Sequence, residues 1–304
     1  MKIQKTQNRK EAGKMTNEEF HDCFVVFILT HGRADNVETY RTCRLRGYNG
    51  RIVLVIDDED EQVKKYKERY GEENCYIFCK REYIQKSDEI ARGDTRSALY
   101  ARNACFDIAR ELGYRYFIEL DDDYQGFSWK FDNNGRYKQR IMCNLDLVWR
   151  RMLEYMISVP CMVSICMAQG GDFIGGNDNK KTAAITPMRK TMNTFICDTE
   201  RKFEFKGRIN EDVNANLYGT FRGQLFLTLN QVMVNVEQTQ ANAGGVTEVY
   251  RELGTYQKSF MSVVISPSSV KLAMMGRKNM RLHHNVEWKY TAPMIVAEKW
   301  RKER

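Results

Sequence analysis

A chain of 304 residues and 35.7 kDa can bury a substantial core as one large domain or two modest ones, and 42% hydrophobic residues with only four prolines is a globular composition. The excess of 48 Lys and Arg over 40 Asp and Glu gives a net charge of +8, a mild basic bias that falls short of a protein living permanently on DNA. The longest apolar runs, such as CFVVFIL at 23–29, are well under the roughly 20 residues of a membrane span. The polar start MKIQKTQNRKEAGK has no apolar signal region, so a soluble, cytoplasmic protein with no membrane partner is expected.

Residues 1–20 show no periodicity and are expected to form a flexible basic lead-in. Alternation then begins: CFVVFILT reads as a strand, 33–46 as a helix or loop-helix, RIVLVID as a strand, EDEQVKKYKERYG as a helix and CYIFC as a strand. In TRSALYARNACFDIARELG, Ala98, Ala101, Cys105, Ile108 and Leu112 share one helical face, and Gly113 is placed to end the helix. The strand YRYFIEL follows at once. Strands separated by helices imply an α/β fold with a Rossmann-like, mostly parallel sheet flanked by helices.

Past residue 140 the sequence predicts a helix in MCNLDLVWRRMLEYMISV, a strand in CMVSICMA, a glycine-rich loop in QGGDFIGGNDNKK and a strand in NTFICD. A polar turn leads into INEDVNANLYG. QLFLTLNQVMVNVEQ reads as a strand or hairpin, followed by a short helix and a polar C-terminus. With no internal repeat and no clean linker, a core over 21–240 and a C-terminal extension over 241–304 that completes the active site are expected. The nine cysteines are scattered, odd in number and mostly in apolar segments (Cys23, Cys161, Cys166, Cys197), which favours reduced core thiols. Cys75 and Cys79 have no matching second pair, so no zinc site is expected.

Three consecutive carboxylates, Asp121, Asp122 and Asp123, stand at the C-terminal end of the acidic strand, where ligands bind in open α/β sheets. Aspartate oxygens suit Mg²⁺ or Mn²⁺, which also grip the phosphates of a nucleotide; a solvated acidic turn is the plain alternative. Thr30, His31, Gly32 and Arg33 follow the first strand, and Asp57 and Asp58 end the second. Arg92, Arg96, Arg102 and Asn103 lie before or on the next helix, where they can donate to a base, ribose or diphosphate or simply cover a surface. Glu211 and Asp212 precede a helical stretch, where a carboxylate serves either as a general base or as acidic decoration of a helix N-terminus. His283 and His284 make up half of the four histidines. Basic clusters occur at 201–208, where Phe203 and Phe205 interleave with Arg and Lys, and at 271–281, which holds four basic residues and no acid. Either suits a polyanion or a solvated face.

The order LTHGR, VIDDED, ARNACFDIA, LDDDY, NED and HH resembles the GT-A glycosyltransferases over nearly the whole chain after residue 22, and more narrowly the TET-associated glycosyltransferases of bacteriophages. The resemblance implies a GT-A type fold with a UDP-sugar donor and a Mn²⁺ or Mg²⁺ cofactor. The implied acceptor partner is double-stranded DNA carrying hydroxymethylated pyrimidines. It further implies Asp121 near the ribose, Asp122 as the middle of a D-x-D motif, and Asp123 on the metal with Asp121 and His283 or His284 beside it. Asp57 would face the nucleobase, Thr30 and Arg33 would line the same pocket, and Arg96, Arg102 and Asn103 would flank the donor. Asp212 would be the catalytic base of an inverting hexosyltransferase and Glu211 would orient the acceptor. The middle position of D-x-D is here itself an aspartate, which leaves a register shifted by one as the alternative. The competing functions are a GT-A transferase acting on a glycan, lipid or protein, and a non-catalytic DNA-binding protein.

Overall fold

A six-residue run with no polar interruption needs cover on both faces, and Phe24–Leu29 (β1) obtains it inside a nine-stranded sheet. The structure is a computed structural model that describes residues 15–88, 95–173, 176, 187–236, 246–276, 280–291 and 297–300. Ile52–Asp57 (β2) and Tyr116–Asp121 (β4) flank β1 in parallel, and Cys75–Phe78 (β3) adds to β2 in parallel. The intervening helices are Glu38–Leu45 (α2), Val63–Tyr70 (α3), Lys80–Lys86 (α4) and Leu99–Glu111 (α5). Gly113, at φ 81°, follows the end of α5 in the left-handed backbone that a side chain resists. The α/β architecture read from the alternation is met.

Strand alternation sorts the core into two layers. Phe24, Val26 and Ile28 join Ile118, Leu120, Trp149 and Met152 on one face; Val25, Phe27 and Leu29 join Phe106, Phe117 and Phe195 on the other. Helix Leu145–Ser158 (α6) covers the first layer and α5 the second. Beyond β4 the sheet is mixed. Phe195–Asp198 (β8) runs antiparallel to β4 and to Met162–Ala168 (β7), which pairs in parallel with Leu225–Val236 (β9). Tyr124–Phe131 (β5) and Tyr137–Ile141 (β6) complete the order β3-β2-β1-β4-β8-β7-β9-β5-β6.

Several local readings change. The stretch after the three aspartates folds as the hairpin β5–β6, turned at Asp132–Gly135 with Gly135 at φ 74°. QLFLTLNQVMVNV is one twelve-residue strand rather than a hairpin. The expected short C-terminal helix is the twenty-residue Val246–Ile265 (α8), followed by the antiparallel pair Val270–Met275 (β10) and Arg281–Val286 (β11). Residues 1–14 of the lead-in, Arg92 and most of the glycine-rich loop lie outside the described residues, whereas Asn17–Cys23 is helical (α1), capped by Thr16 and Glu19. Helix Glu211–Thr220 (α7) is tied to α8 by Asn210 Nδ2 donating to the Lys258 carbonyl (2.9 Å) and Ser262 Oγ donating to Asn214 Oδ1 (2.9 Å). All nine cysteines are free, and among the described residues no helix is long and apolar enough to cross a membrane.

Candidate active site

Parallel pairing sets Leu29 beside Asp121, so the ends of β1, β2 and β4 lie along one edge of the sheet with Thr30, Asp57 and Asp121 at their tips. The three aspartates then part company. Asp121 Oδ1 takes a hydrogen bond from Arg102 Nη2 at 2.8 Å, and its Oδ2 accepts the Tyr124 hydroxyl at 3.0 Å. Buried Asp122 turns back to the loop after β1, where Thr30 Oγ1 and Arg33 Nη1 each donate to it at 2.7 Å. Asp123 makes no ion pair among the described residues, and burial together with the charges of Asp121 and Asp122 pushes its carboxyl up to about 6. The chain's own cations therefore neutralise two carboxylates and leave the third unpaired.

The buried guanidinium of Arg102 is a hub. Because β4 has period two, Glu119 and Asp121 share the face under α5, and Arg102 reaches both, Glu119 Oε2 at 3.5 Å and Asp121 at 2.8 Å. Its Nε lies 3.4 Å from Glu211 Oε1 at the start of α7. The rings of Phe195 and Phe205 lie 5.6 Å from the guanidinium carbon. Neither oxygen of Glu119 finds a hydrogen-bond donor among the described residues, and burial raises its carboxyl to about 8 against the pull of Arg102. Burial and Asp212 raise Glu211 to about 7.

Glu119 was absent from the sequence-derived site, although a lone acid inside the apolar strand YFIEL was its signal. These raised carboxyls carry a pH prediction. Unfolded, Glu119, Glu211 and Asp123 lose their protons near pH 4; folded, they hold them to about pH 8, 7 and 6. Their contribution to stability is thus complete below about pH 4 and is lost as pH rises through the folded values. In chelator, Glu119→Gln is expected to flatten the fall of Tm between about pH 5 and about pH 8. Equal slopes in both proteins would contradict this assignment.

Asp57 is already occupied. Its Oδ2 pairs with His31 Nδ1 at 2.7 Å, and its Oδ1 accepts the Glu59 amide at 3.3 Å with Lys80 Nζ at 3.5 Å. Burial opposes ionisation of Asp57, but His31 and Lys80 outweigh it and hold the carboxyl below its usual range. The hydrogen bond to Asp57 in turn raises half-exposed His31, so the group presented outward over the tip of β2 is His31 of the loop after β1. Asn103 has a different task from the one expected: its amide donates to the Phe205 carbonyl (3.1 Å) and accepts the Phe205 amide (3.0 Å), stapling the 202–207 segment to α5. Arg96 lies half-buried just before α5.

Asp212 occupies the first turn of α7, its Oδ1 accepting the Val213 amide at 2.7 Å. Lys190 and Lys258 lie close enough for Asp212 to offset part of the burial that lowers both lysines. Sequence reading missed both, since each is a solitary lysine far from any motif. His283 and His284 stand in this cationic neighbourhood. Burial lowers His283, with Lys258, Arg281 and Lys190 adding to the effect, and burial with His283 and Lys258 brings His284 down to about 4.

Among the described residues no three His, Cys, Asp or Glu side chains converge as a metal cage. The adjacent carboxylates nonetheless fit a hard divalent cation. Mg²⁺ typically takes one or two carboxylates and completes its shell with water and substrate phosphates. The unpaired, repelled Asp123 is the side chain that such a cation would relieve.

Residues 24–245 match the model of a family described as TET-Associated Glycosyltransferase. No curated protein matches the sequence. Among solved structures the chain is similar to glucosyl-3-phosphoglycerate synthase from Mycobacterium tuberculosis in complex with Mn²⁺, UDP and phosphoglyceric acid, at 8% identity and TM-score 0.44 over 89% of this chain and 91% of that one. It is also similar to S. aureus TarS 1-349 in complex with UDP, at 12% identity and TM-score 0.42 over 70% and 60% of the two chains. A third is mannosyltransferase PcManGT from Pyrobaculum calidifontis in complex with GDP-Man and Mn²⁺, at 10% identity and TM-score 0.44 over 80% and 73%.

Proposed function

Because the chain belongs to the TET-associated glycosyltransferases, we propose that it moves a sugar from a UDP-sugar to the hydroxymethyl group of a modified pyrimidine in phage DNA, in the host cytoplasm. The observation that carries the reading is the division of labour among the aspartates: Arg102 holds Asp121, Arg33 holds Asp122, and Asp123 stays unpaired beside them. Asp121 and Asp123, with His283 as a further ligand, would hold Mn²⁺ or Mg²⁺. A divalent cation bound there supplies Lewis-acid stabilisation for the departing diphosphate.

The rest of the work falls to the chain's own groups. Thr30 and Arg33, spent on Asp122, fix the loop after β1, which is also pinned by Gly32 N–H donating to Asp60 at 2.7 Å and Arg33 N–H to the Tyr66 hydroxyl at 2.8 Å. That loop and His31 form the wall on which the nucleoside rests. Asp212 takes the proton of the acceptor hydroxyl as its oxygen bonds to the anomeric carbon and the carbon–diphosphate bond breaks on the opposite face, inverting the centre. Glu211, held by Arg102, ties this acceptor side to Asp121 on the donor side.

The test is release of nucleoside diphosphate from a panel of nucleotide sugars with Mn²⁺ and either hydroxymethylated or unmodified duplex DNA. Release is expected with a uridine donor and hydroxymethylated duplex alone. Release driven by glycan acceptors and indifferent to DNA would overturn the acceptor assignment.

A further inference from the structure

Two non-glycine residues among those described hold a positive φ, and one of them, Asn210 (φ 57°, ψ 35°), immediately precedes Glu211 and Asp212. Asparagine visits this left-handed backbone more readily than most residues that carry a side chain, but it is not the usual way to open a helix. An ordinary capping residue sits in extended backbone and turns its side-chain oxygen onto the second or third amide of its own helix. Asn210 does neither. Its carbonyl accepts the Asn214 amide at 2.8 Å, so α7 starts normally, yet its side chain makes no bond to the helix it opens.

The side chain goes to α8 instead. Asn210 Nδ2 donates to the Lys258 carbonyl at 2.9 Å and to Ser262 Oγ at 3.4 Å, and Ser262 Oγ donates in turn to Asn214 Oδ1 at 2.9 Å. Asn214 Nδ2 donates back to the carbonyls of Lys206 (2.9 Å) and Ile209 (3.1 Å), which closes the network on the segment leading into Asn210. Asn210, Asn214 and Ser262 are all buried, so a bond lost here strands a polar group away from water. The third amide of α7, the Val213 N–H, is thereby left to another acceptor, and Asp212 Oδ1 takes it at 2.7 Å. Asp212 Oδ2 makes no hydrogen bond among the described residues. One oxygen of this carboxylate is tied and the other is open.

We propose that Asn210 is a positioning residue: by keeping its side chain on α8 it yields the Val213 amide to Asp212, and so fixes that carboxylate with Oδ2 free to take the acceptor's proton. This rests on the reading of Asp212 as the base and names what aims it. A residue that capped α7 in the ordinary way would compete for the same amide and release Asp212 to its other rotamers. The left-handed backbone at Asn210 is then a conformation kept for function, as uncommon backbone geometry at active sites often is.

The experiment compares wild type with Asn210→Ser, Asn210→Gly and Asp212→Asn. The readouts are Tm, steady-state sugar transfer with Mn²⁺ to the acceptor that wild type uses (hydroxymethylated duplex on the reading above), and crystal structures of the two Asn210 variants. Serine resists the left-handed backbone and caps helices well, so the introduced hydroxyl is expected to take the Val213 amide and free Asp212. Glycine holds the left-handed backbone and brings no competing side chain. Both variants lose the bonds to Lys258 and Ser262. In Asn210→Ser kcat should fall about 10- to 100-fold with donor KM unchanged, and in Asn210→Gly it should fall several-fold less. The Tm of Asn210→Ser should nonetheless be level with or above that of Asn210→Gly, because the new cap supports α7. A kcat that simply follows Tm, equal kcat in the two variants, or an Asn210→Ser structure with Asp212 still on the Val213 amide would each overturn the role of Asn210. A slow Asp212→Asn beside an Asn210→Ser as fast as wild type sinks that role alone. Asp212→Asn as fast as wild type, or wild type that transfers sugar to no acceptor, sinks the base reading and the positioning role with it.

Discussion

Asp123→Ala is expected to lower sugar transfer on the order of 1,000-fold, the scale of the several kcal/mol that charge stabilisation of the leaving diphosphate contributes. The same substitution should leave the metal-free protein as stable as wild type or more so. Asp123 has no cationic partner among the described residues, and its ionised form is penalised first by burial and then by Asp121 and Asp122. Removing such a charge relieves repulsion, the usual trade between function and stability at a site built for a ligand. Asp122→Ala is the contrasting control. It strips Arg33 and Thr30 of their shared acceptor, so it should lower Tm. A Tm loss for Asp123→Ala as large as that for Asp122→Ala would place Asp123 among the structural carboxylates instead.

Asp212→Asn is expected to cost about 100- to 10,000-fold in kcat, the range of a positioned general base, with the donor KM little changed. The amide oxygen can still accept the Val213 N–H, so the first turn of α7 should survive. The proton-accepting lone pair is lost while the shape is kept. Lys190 and Lys258 lose a neighbouring carboxylate that partly offsets their burial, so a modest drop in Tm should accompany the drop in rate. A donor KM that rises in proportion while kcat holds would instead place Asp212 on the donor-binding side.

Periodicity made the parallel half of the fold legible, because β1 is apolar throughout, β2 is apolar up to Asp57 and β4 is interrupted only by Glu119 before Asp121, and the helices between them carry one apolar face. The hairpin after Asp123 escaped because YQGFSWKF mixes large and small residues on a strand, and only the turn residues of DNNG marked it. Within the site, residue types were legible but their partners were not. Asp121 and Asp122 are adjacent, yet one faces α5 and Arg102 while the other faces the loop after β1, a split that depends on where the strand ends. Asn103 read as a polar group on a donor-facing helix and turned out to bond a backbone 102 residues away. Long-range pairings of this kind, like His31 with Asp57, leave no local trace in the sequence. His283 was placed by motif order alone, and the fold surrounds it with lysine and arginine.

The most direct measurement is the mass of nucleosides digested from hydroxymethylated duplex DNA after incubation with UDP-sugars and Mn²⁺. Wild type should add one sugar residue to the hydroxymethylpyrimidine and nothing to unmodified DNA, and the product should vanish with chelator and with Asp123→Ala. Nucleoside masses unchanged with every donor, or a gain that survives both chelator and Asp123→Ala, would contradict a metal-assisted DNA glycosyltransferase.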